Sequence, residues 1–113
     1  MEAPVSAAAD QVRVALVTLP DRQAAEALVR KLVEERVVAC GNIVPGMTSI
    51  YWWEGKVEEA GEVLVVFKTT SEGARRLVDR VPELHPYDVP EVLVLPVQEG
   101  HRPYLDWVVD SVV

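Results

Sequence analysis

Five consecutive apolar residues, Val63-Leu64-Val65-Val66-Phe67, stand in the middle of the chain. Successive side chains of a strand point to opposite faces of a sheet, so a run without polar interruption is typical of a strand buried on both faces. The run lies within a longer extended segment, Lys56 to Thr70, which begins at a hairpin turn of Glu54-Gly55-Lys56. The sequence therefore predicts a central strand, around which the rest of the fold is arranged.

The segments on either side of this strand show alternating strand and helix patterns. Further strand patterns cover 12–19, 38–53 with a bend at Pro45-Gly46, and 89–97. Apolar residues at helical spacing cover 22–36, the segment from Ser71 to just before His85, and a last helix after Pro103. Asp21 and Ser71 are expected to cap the first two helices. This order predicts an α+β, ferredoxin-like split βαβ sandwich (βαββαβ) with an added C-terminal helix.

Two helices on one side of such a sheet leave its other face uncovered. The segments 12–17, 63–67 and 92–95 nevertheless carry aliphatic side chains on both faces. A bare apolar face of this size exceeds the patch that soluble monomers tolerate. A second copy of the chain is the simplest cover, so a closed homo-oligomer is expected.

Length and charge restrict the class of protein. The 113 residues suffice for one domain, expected at 11–113 after a flexible N-terminal tail at 1–10. Acidic residues outnumber basic ones 18 to 11, a formal charge of -7, which disfavours nucleic acid and attracts cations, although such a charge also serves solubility. With one cysteine, no signal-peptide pattern and no membrane-spanning stretch, a cytoplasmic protein without a membrane partner is expected.

The segment His85-Pro86-Tyr87-Asp88-Val89-Pro90-Glu91 places polar and aromatic side chains around two prolines. One interpretation is a helix stop, because histidine favours the negative end of a helix dipole and Pro86 bars continuation. The other interpretation is a metal site, with the His85 imidazole and the carboxylates of Asp88 and Glu91 as ligands and Tyr87 as a wall. Both interpretations stay open at the level of sequence.

Other side chains are candidates for a cleft or an interface between subunits. Tyr51 and Trp53 share one face of their strand, as interface anchors or as a ligand cage. Lys68 extends along the apolar strand, pairs with an acid such as Glu62, or binds an anion. Cys40 lies in an apolar run, where a cysteine is typical of a buried core. No phosphate-binding glycine loop, serine nucleophile elbow or paired-histidine zinc helix is present in the sequence, so enzyme activity is not expected.

Four separated motifs resemble the CutA divalent-cation tolerance family in order and spacing. They are ACGNIVPGMTSIYWWEG at 39–55, Lys68-Thr69-Thr70, the segment from His85 to Glu91, and Tyr104-Leu105-Asp106-Trp107. The resemblance covers nearly all of the chain after residue 11. It implies a ferredoxin-like subunit similar to those of PII signalling proteins, a homotrimer packed through its sheets, and a link to copper and other divalent metal ions.

The chain departs from the copper-binding pattern of some relatives. They carry a cysteine near the end of the first strand and a histidine pair before the proline-tyrosine motif, where this chain has Val17 and Leu84. Only His85 matches, and the thiolate that Cu(I) prefers is missing. We therefore expect no obligatory cofactor and weak binding of copper or another divalent cation.

Two rival functions remain. The first is a PII-like regulatory trimer that senses small molecules in clefts between subunits. A phosphate ligand in such a cleft requires several lysines and arginines close together, whereas the sequence shows Lys68 without such a cluster. The second is an enzyme that uses His85 as a general base.

Overall fold

The computed structural model describes residues 11–113, so the tail expected at 1–10 lies outside the described residues. The elements are β1 (Val12–Leu19), α1 (Arg22–Glu34), β2 (Cys40–Trp53), β3 (Lys56–Thr70), α2 (Ser71–Leu84), β4 (Val92–Pro96) and α3 (Arg102–Ser111). All strand pairs are antiparallel in the order β2-β3-β1-β4, which makes the apolar β3 a central strand, as predicted. The predicted α+β fold with the βαββαβ order and an added C-terminal helix is confirmed.

Short polar side chains start the first two helices. Asp21 caps α1 as predicted, since its Oδ1 accepts a bond of 2.8 Å from the Ala24 N–H. The cap of α2 is Thr70 rather than Ser71, because Thr70 has the extended backbone that a cap requires and its hydroxyl accepts from the Gly73 N–H at 3.0 Å. None of the helices within 11–113 is long and apolar enough to cross a bilayer.

Strands β2 and β3 form a long, bent hairpin. Their register shifts at the predicted Pro45-Gly46 bend. At the tip, both residues of Glu54-Gly55 have positive φ angles, 50° and 77°, which a two-residue type I′ turn demands. The part of the hairpin beyond the bend, residues 47–62, is called the arm below.

The main core lies between one face of the sheet and helices α1 and α2. It includes the fully buried side chains of Leu19, Leu32, Val65, Phe67, Leu77 and Val81. Burial of such a side chain stabilises a fold by roughly 1.5–3 kcal/mol. Because α1 and α2 both lie on this face, they leave the other face of the sheet free, as expected from the sequence.

Helix α3 lies on that other face and covers only one end of it. Its residues Leu105 and Val108 enclose Val12 in a second, smaller core. The rest of this surface, called the open face below, is half-buried or exposed. Strand alternation and register assign to it Val14, Leu16, Leu64, Val66, Leu93 and Leu95.

Candidate functional site

The connection between α2 and β4 and the arm enclose a cleft of about 540 Å³. Strand β4 starts at Val92, later than the predicted position 89, so the residues just before it belong to this connection. The cleft is lined by Thr18, Tyr51, Trp53, Glu62, Pro86, Tyr87, Asp88, Val89 and Glu91. The structure therefore brings together most of the candidate residues named from the sequence.

His85 ends α2 and lies beside the cleft with 8% of its surface exposed. Its Nδ1 accepts a bond of 3.0 Å from the Tyr87 N–H, which leaves Nε2 as the protonated nitrogen. Nε2 then donates to the Thr18 carbonyl oxygen at 2.7 Å. Both nitrogens of the neutral imidazole are engaged, so neither offers a free lone pair to a metal ion.

Tyr87 is held from two sides. Its ring centroid lies 4.9 Å from that of His85, and its hydroxyl donates to Oε2 of Glu62 at 2.9 Å. Burial, followed by the bond to Glu62, raises the pKa of Tyr87 to about 12. The hydroxyl therefore remains a protonated donor at neutral pH, and Tyr87 forms a fixed wall that ties the connection to β3.

The carboxylates of Asp88 and Glu91 are exposed at the cleft. Among residues 11–113, no three or more histidine, cysteine, aspartate and glutamate side chains are grouped so that they could hold a metal ion. The candidate set His85, Asp88 and Glu91 shares one connection but does not form such a group within one described chain. A closed metal site inside a single subunit does not fit these residues.

The arm supplies the aromatic side of the cleft. Tyr51 and Trp53 lie two residues apart and point to the same face of β2, with 42% and 57% of their surfaces exposed. Trp52, between them, points to the opposite side. The predicted sharing of one face by Tyr51 and Trp53 thus places both rings at one cavity.

Cys40 and Lys68 lie away from the cleft, directly opposite each other near one end of the open face. The ammonium group of Lys68 donates to Oδ1 of Asn42, not to Glu62. Cys40 is half-buried rather than buried, because it starts an edge strand, and its Sγ lies 3.8 Å from the Tyr104 hydroxyl of α3. These residues belong to a different part of the surface.

Thr18 and Glu62 also line the cleft, although neither belongs to a sequence motif that indicates a site. Both occupy even positions on strands whose odd positions fill the main core. Alternation therefore assigns them to the open-face side. Their bonds to His85 and Tyr87 depend on the packing of α2 against the sheet, which alternation does not predict.

Curated proteins of known family show high identity to this chain. The divalent-cation tolerance protein CutA of Thermus thermophilus is 52% identical over 94 residues, which are 83% of this chain and 91% of that protein. Protein CutA of Homo sapiens is 48% identical over 97 residues, which are 86% of this chain and 54% of the human protein. The chain thus spans most of the bacterial relative and about half of the human one.

Solved structures show the same fold. The divalent cation tolerance protein (Cut A1) from Thermus thermophilus matches with a TM-score of 0.88 at 48% identity, over 90% of this chain and 99% of that chain. CutA1 from Oryza sativa matches with a TM-score of 0.89 at 41% identity, over 91% and 94% of the two chains. The family model described as CutA1 divalent ion tolerance protein matches residues 13–111. Because sequence, fold and family model agree over nearly all of the described residues, the chain belongs to the CutA1 divalent ion tolerance family.

Proposed function

We propose that this chain forms a homotrimer packed through its sheets, and that the trimer serves divalent-cation tolerance in the cytoplasm without catalysing a reaction. The observation that carries the proposal is the open face of the sheet. The tolerance role is supported by the names of the relatives and of the matching family. That the oligomer contains three subunits is an expectation from the family resemblance.

The open face has the composition of an interface. Leu93 and Leu95 are 54% and 44% exposed in the single chain, and the central strands add half-buried aliphatic side chains beside them. Burial of a leucine or valine side chain contributes roughly 1.5–3 kcal/mol. Covering this face with a second copy therefore stabilises the assembly, whereas exposing it to water favours aggregation.

The arm gives an independent reason for assembly. The subunit measures 56 × 26 × 23 Å, an elongated shape for one domain of this length. On the side of the arm opposite the cleft, Ile50 and Val57 are 66% and 62% exposed. A two-stranded hairpin on its own is at best marginally stable in water. We infer that the arms pack on neighbouring subunits.

Direct binding of divalent cations is proposed to be weak and to involve the exposed carboxylates of Asp88 and Glu91. A metal ion at His85 would have to break its bond with Tyr87 or with Thr18. Two carboxylates on one connection supply fewer oxygens than the six to eight that a calcium-type site uses. In this proposal His85 holds the connection between α2 and β4 in place, and the cation binds at the exposed surface of that connection.

The cleft itself favours the rival function, a PII-like trimer that senses a small molecule. The described residues that line it, however, include three carboxylates and no lysine or arginine. Such a lining repels phosphate groups, so a nucleotide is a poor match. The rival function therefore requires a ligand that does not carry the negative charge of a phosphate group.

A pair of matched variants tests the assembly. Leu95, on the open face, and Val78, on α2 in the opposite layer, are 44% and 45% exposed. Sedimentation of the wild type should give about three times the chain mass. Leu95→Glu should lower that mass because it places a charge in the interface, and Val78→Glu should leave it unchanged. A monomeric wild type, or two variants with the same mass, would contradict the homotrimer.

Calorimetry tests the cation contact. Copper should bind weakly to the wild type, and the double variant Asp88→Asn with Glu91→Gln should bind copper still more weakly. Tight binding by the wild type, or unchanged binding after both carboxylates are neutralised, would place the cation contact elsewhere.

A further inference from the structure

The cleft combines two kinds of side chain that attract the same class of ligand. Aromatic rings come from Tyr51, Trp53 and Tyr87, and carboxylates come from Glu62, Asp88 and Glu91. The face of an aromatic ring carries negative potential and attracts cations, most strongly when water is excluded. Rings and carboxylates together therefore select for positive charge.

One of the three rings, that of Tyr87, is held in place before any ligand arrives. Tyr87 is fixed by the bonds of its backbone to His85 and of its hydroxyl to Glu62. The pairing of β2 with β3 places Tyr51 and Trp53 two residues apart on one face of the arm. A preformed wall lowers the conformational entropy that a ligand must overcome on binding.

The charged side chains that line the cleft are negatively charged. Among residues 11–113, no lysine or arginine lines the cleft, and the whole chain has a formal charge of -7. A cation is therefore drawn toward the site and an anion is repelled. The volume, about 540 Å³, lies within the range of small-molecule sites and exceeds what a bare metal ion needs.

We propose that this cleft binds a small organic ammonium ion, with its alkylated nitrogen against the rings of Tyr51, Trp53 and Tyr87 and its charge balanced by Asp88, Glu91 and Glu62. The site goes beyond the proposed role in metal tolerance and does not depend on it. A metal ion would use the carboxylates alone, whereas an organic cation uses the rings as well.

Nuclear magnetic resonance titration with choline tests this proposal in the full-length protein and in the assembly that it forms in solution. The chain has three tryptophans, of which Trp53 lines the cleft, while Trp52 points away and Trp107 lies on α3. Choline should shift the indole N–H signal of Trp53 to saturation and leave those of Trp52 and Trp107 in place. The neutral isostere, with a quaternary carbon in place of the nitrogen, should bind at least about tenfold more weakly because it lacks the charge.

Three variants assign the interaction to its parts. Trp53→Leu should weaken choline binding at least about tenfold by removing one ring, and Trp107→Leu is the matched control that should not change it. Glu91→Gln alters an exposed side chain and should also weaken choline binding, with fold and assembly checked by melting and sedimentation. Added salt should weaken binding by the wild type because the attraction is electrostatic.

Several results would overturn the proposal. Equal binding of choline and its neutral isostere would make the cleft an apolar groove without charge selectivity. The absence of any Trp53 shift would mean that the cleft is closed, for example by a neighbouring arm. Should Trp53→Leu disturb the assembly, Glu91→Gln decides the question, and unchanged choline affinity in that variant would reject the site. Sedimentation and copper calorimetry report separately on the proposed metal-tolerance trimer.

Discussion

Replacing His85 by alanine separates a structural role of this residue from a role as a metal ligand. The imidazole donates to the Thr18 carbonyl and accepts from the Tyr87 N–H, and 8% of the residue is exposed. Each bond contributes about 1 kcal/mol, and a partner left unsatisfied in a buried place costs about 1–3 kcal/mol. The loss of packing adds to this, so we expect His85→Ala to lower the free energy of unfolding by about 3 kcal/mol.

The second histidine of the chain supplies the control. His101 is exposed, and its side chain forms no capping bond at the start of α3. His101→Ala should therefore change the free energy of unfolding by less than about 0.5 kcal/mol. Guanidinium denaturation of the three proteins should be compared at equal protein concentration, because the stability of an oligomer depends on it.

Copper calorimetry on the same variants completes the test. Because both ring nitrogens of His85 are engaged and the carboxylates of Asp88 and Glu91 are exposed, His85→Ala should lower the copper affinity by less than about tenfold, although it destabilises the protein. If His85→Ala is as stable as His101→Ala, or if it loses copper affinity about tenfold or more, the structural role assigned to His85 is refuted. The second result would restore His85 as a ligand.

Two further predictions concern the body of the subunit. Gly73→Ala should destabilise the fold by more than about 2 kcal/mol, measured by denaturation, because a β-carbon there would lie 2.5 Å from the Val37 carbonyl oxygen and closer still to the Thr69 hydroxyl. Arg80 donates two bonds to Glu35, and these bonds lower the pKa of Glu35 below 4.5. A lowered folded-state pKa means that the stabilisation is present above pH 4.5 and is lost as the pH falls through the folded value, so Glu35→Gln should reduce the loss of stability in acid. An unchanged acid-denaturation profile in that variant would contradict this assignment.

Much of the fold is predictable from local patterns. The apolar run at 63–67 predicts a strand buried on both sides, and β3 is indeed central in the sheet. Glu54-Gly55 and Pro45-Gly46 predict the turn and the bend, because few residues adopt positive φ angles without strain. The sequence places the cap of α2 at Ser71, one residue after the actual cap Thr70, because only the backbone conformation distinguishes the two residues.

The candidate site is only partly predictable. Tyr51 and Trp53 fall on one face by strand alternation, and the proline-flanked connection is recognisable from its composition. The choice between helix stop and metal ligand at His85 depends on the partners of its two nitrogens. Those partners, Thr18 and Tyr87, lie on different segments, and the sequence alone does not pair them.

The amino-acid sequence by itself determined the order of the elements, the two apolar faces of the central strands and the family, because periodicity, turn chemistry and motifs are local properties. Tertiary structure alone decided that α3 covers only the Val12 end of the second face, and that Glu62 meets Tyr87 rather than Lys68. It also gathered Thr18, Glu62 and Tyr87 around one cleft. The physical reason is that contacts between residues distant in sequence depend on strand register and on the packing of a helix against the sheet. Both are set by burial over the whole chain rather than by any single segment.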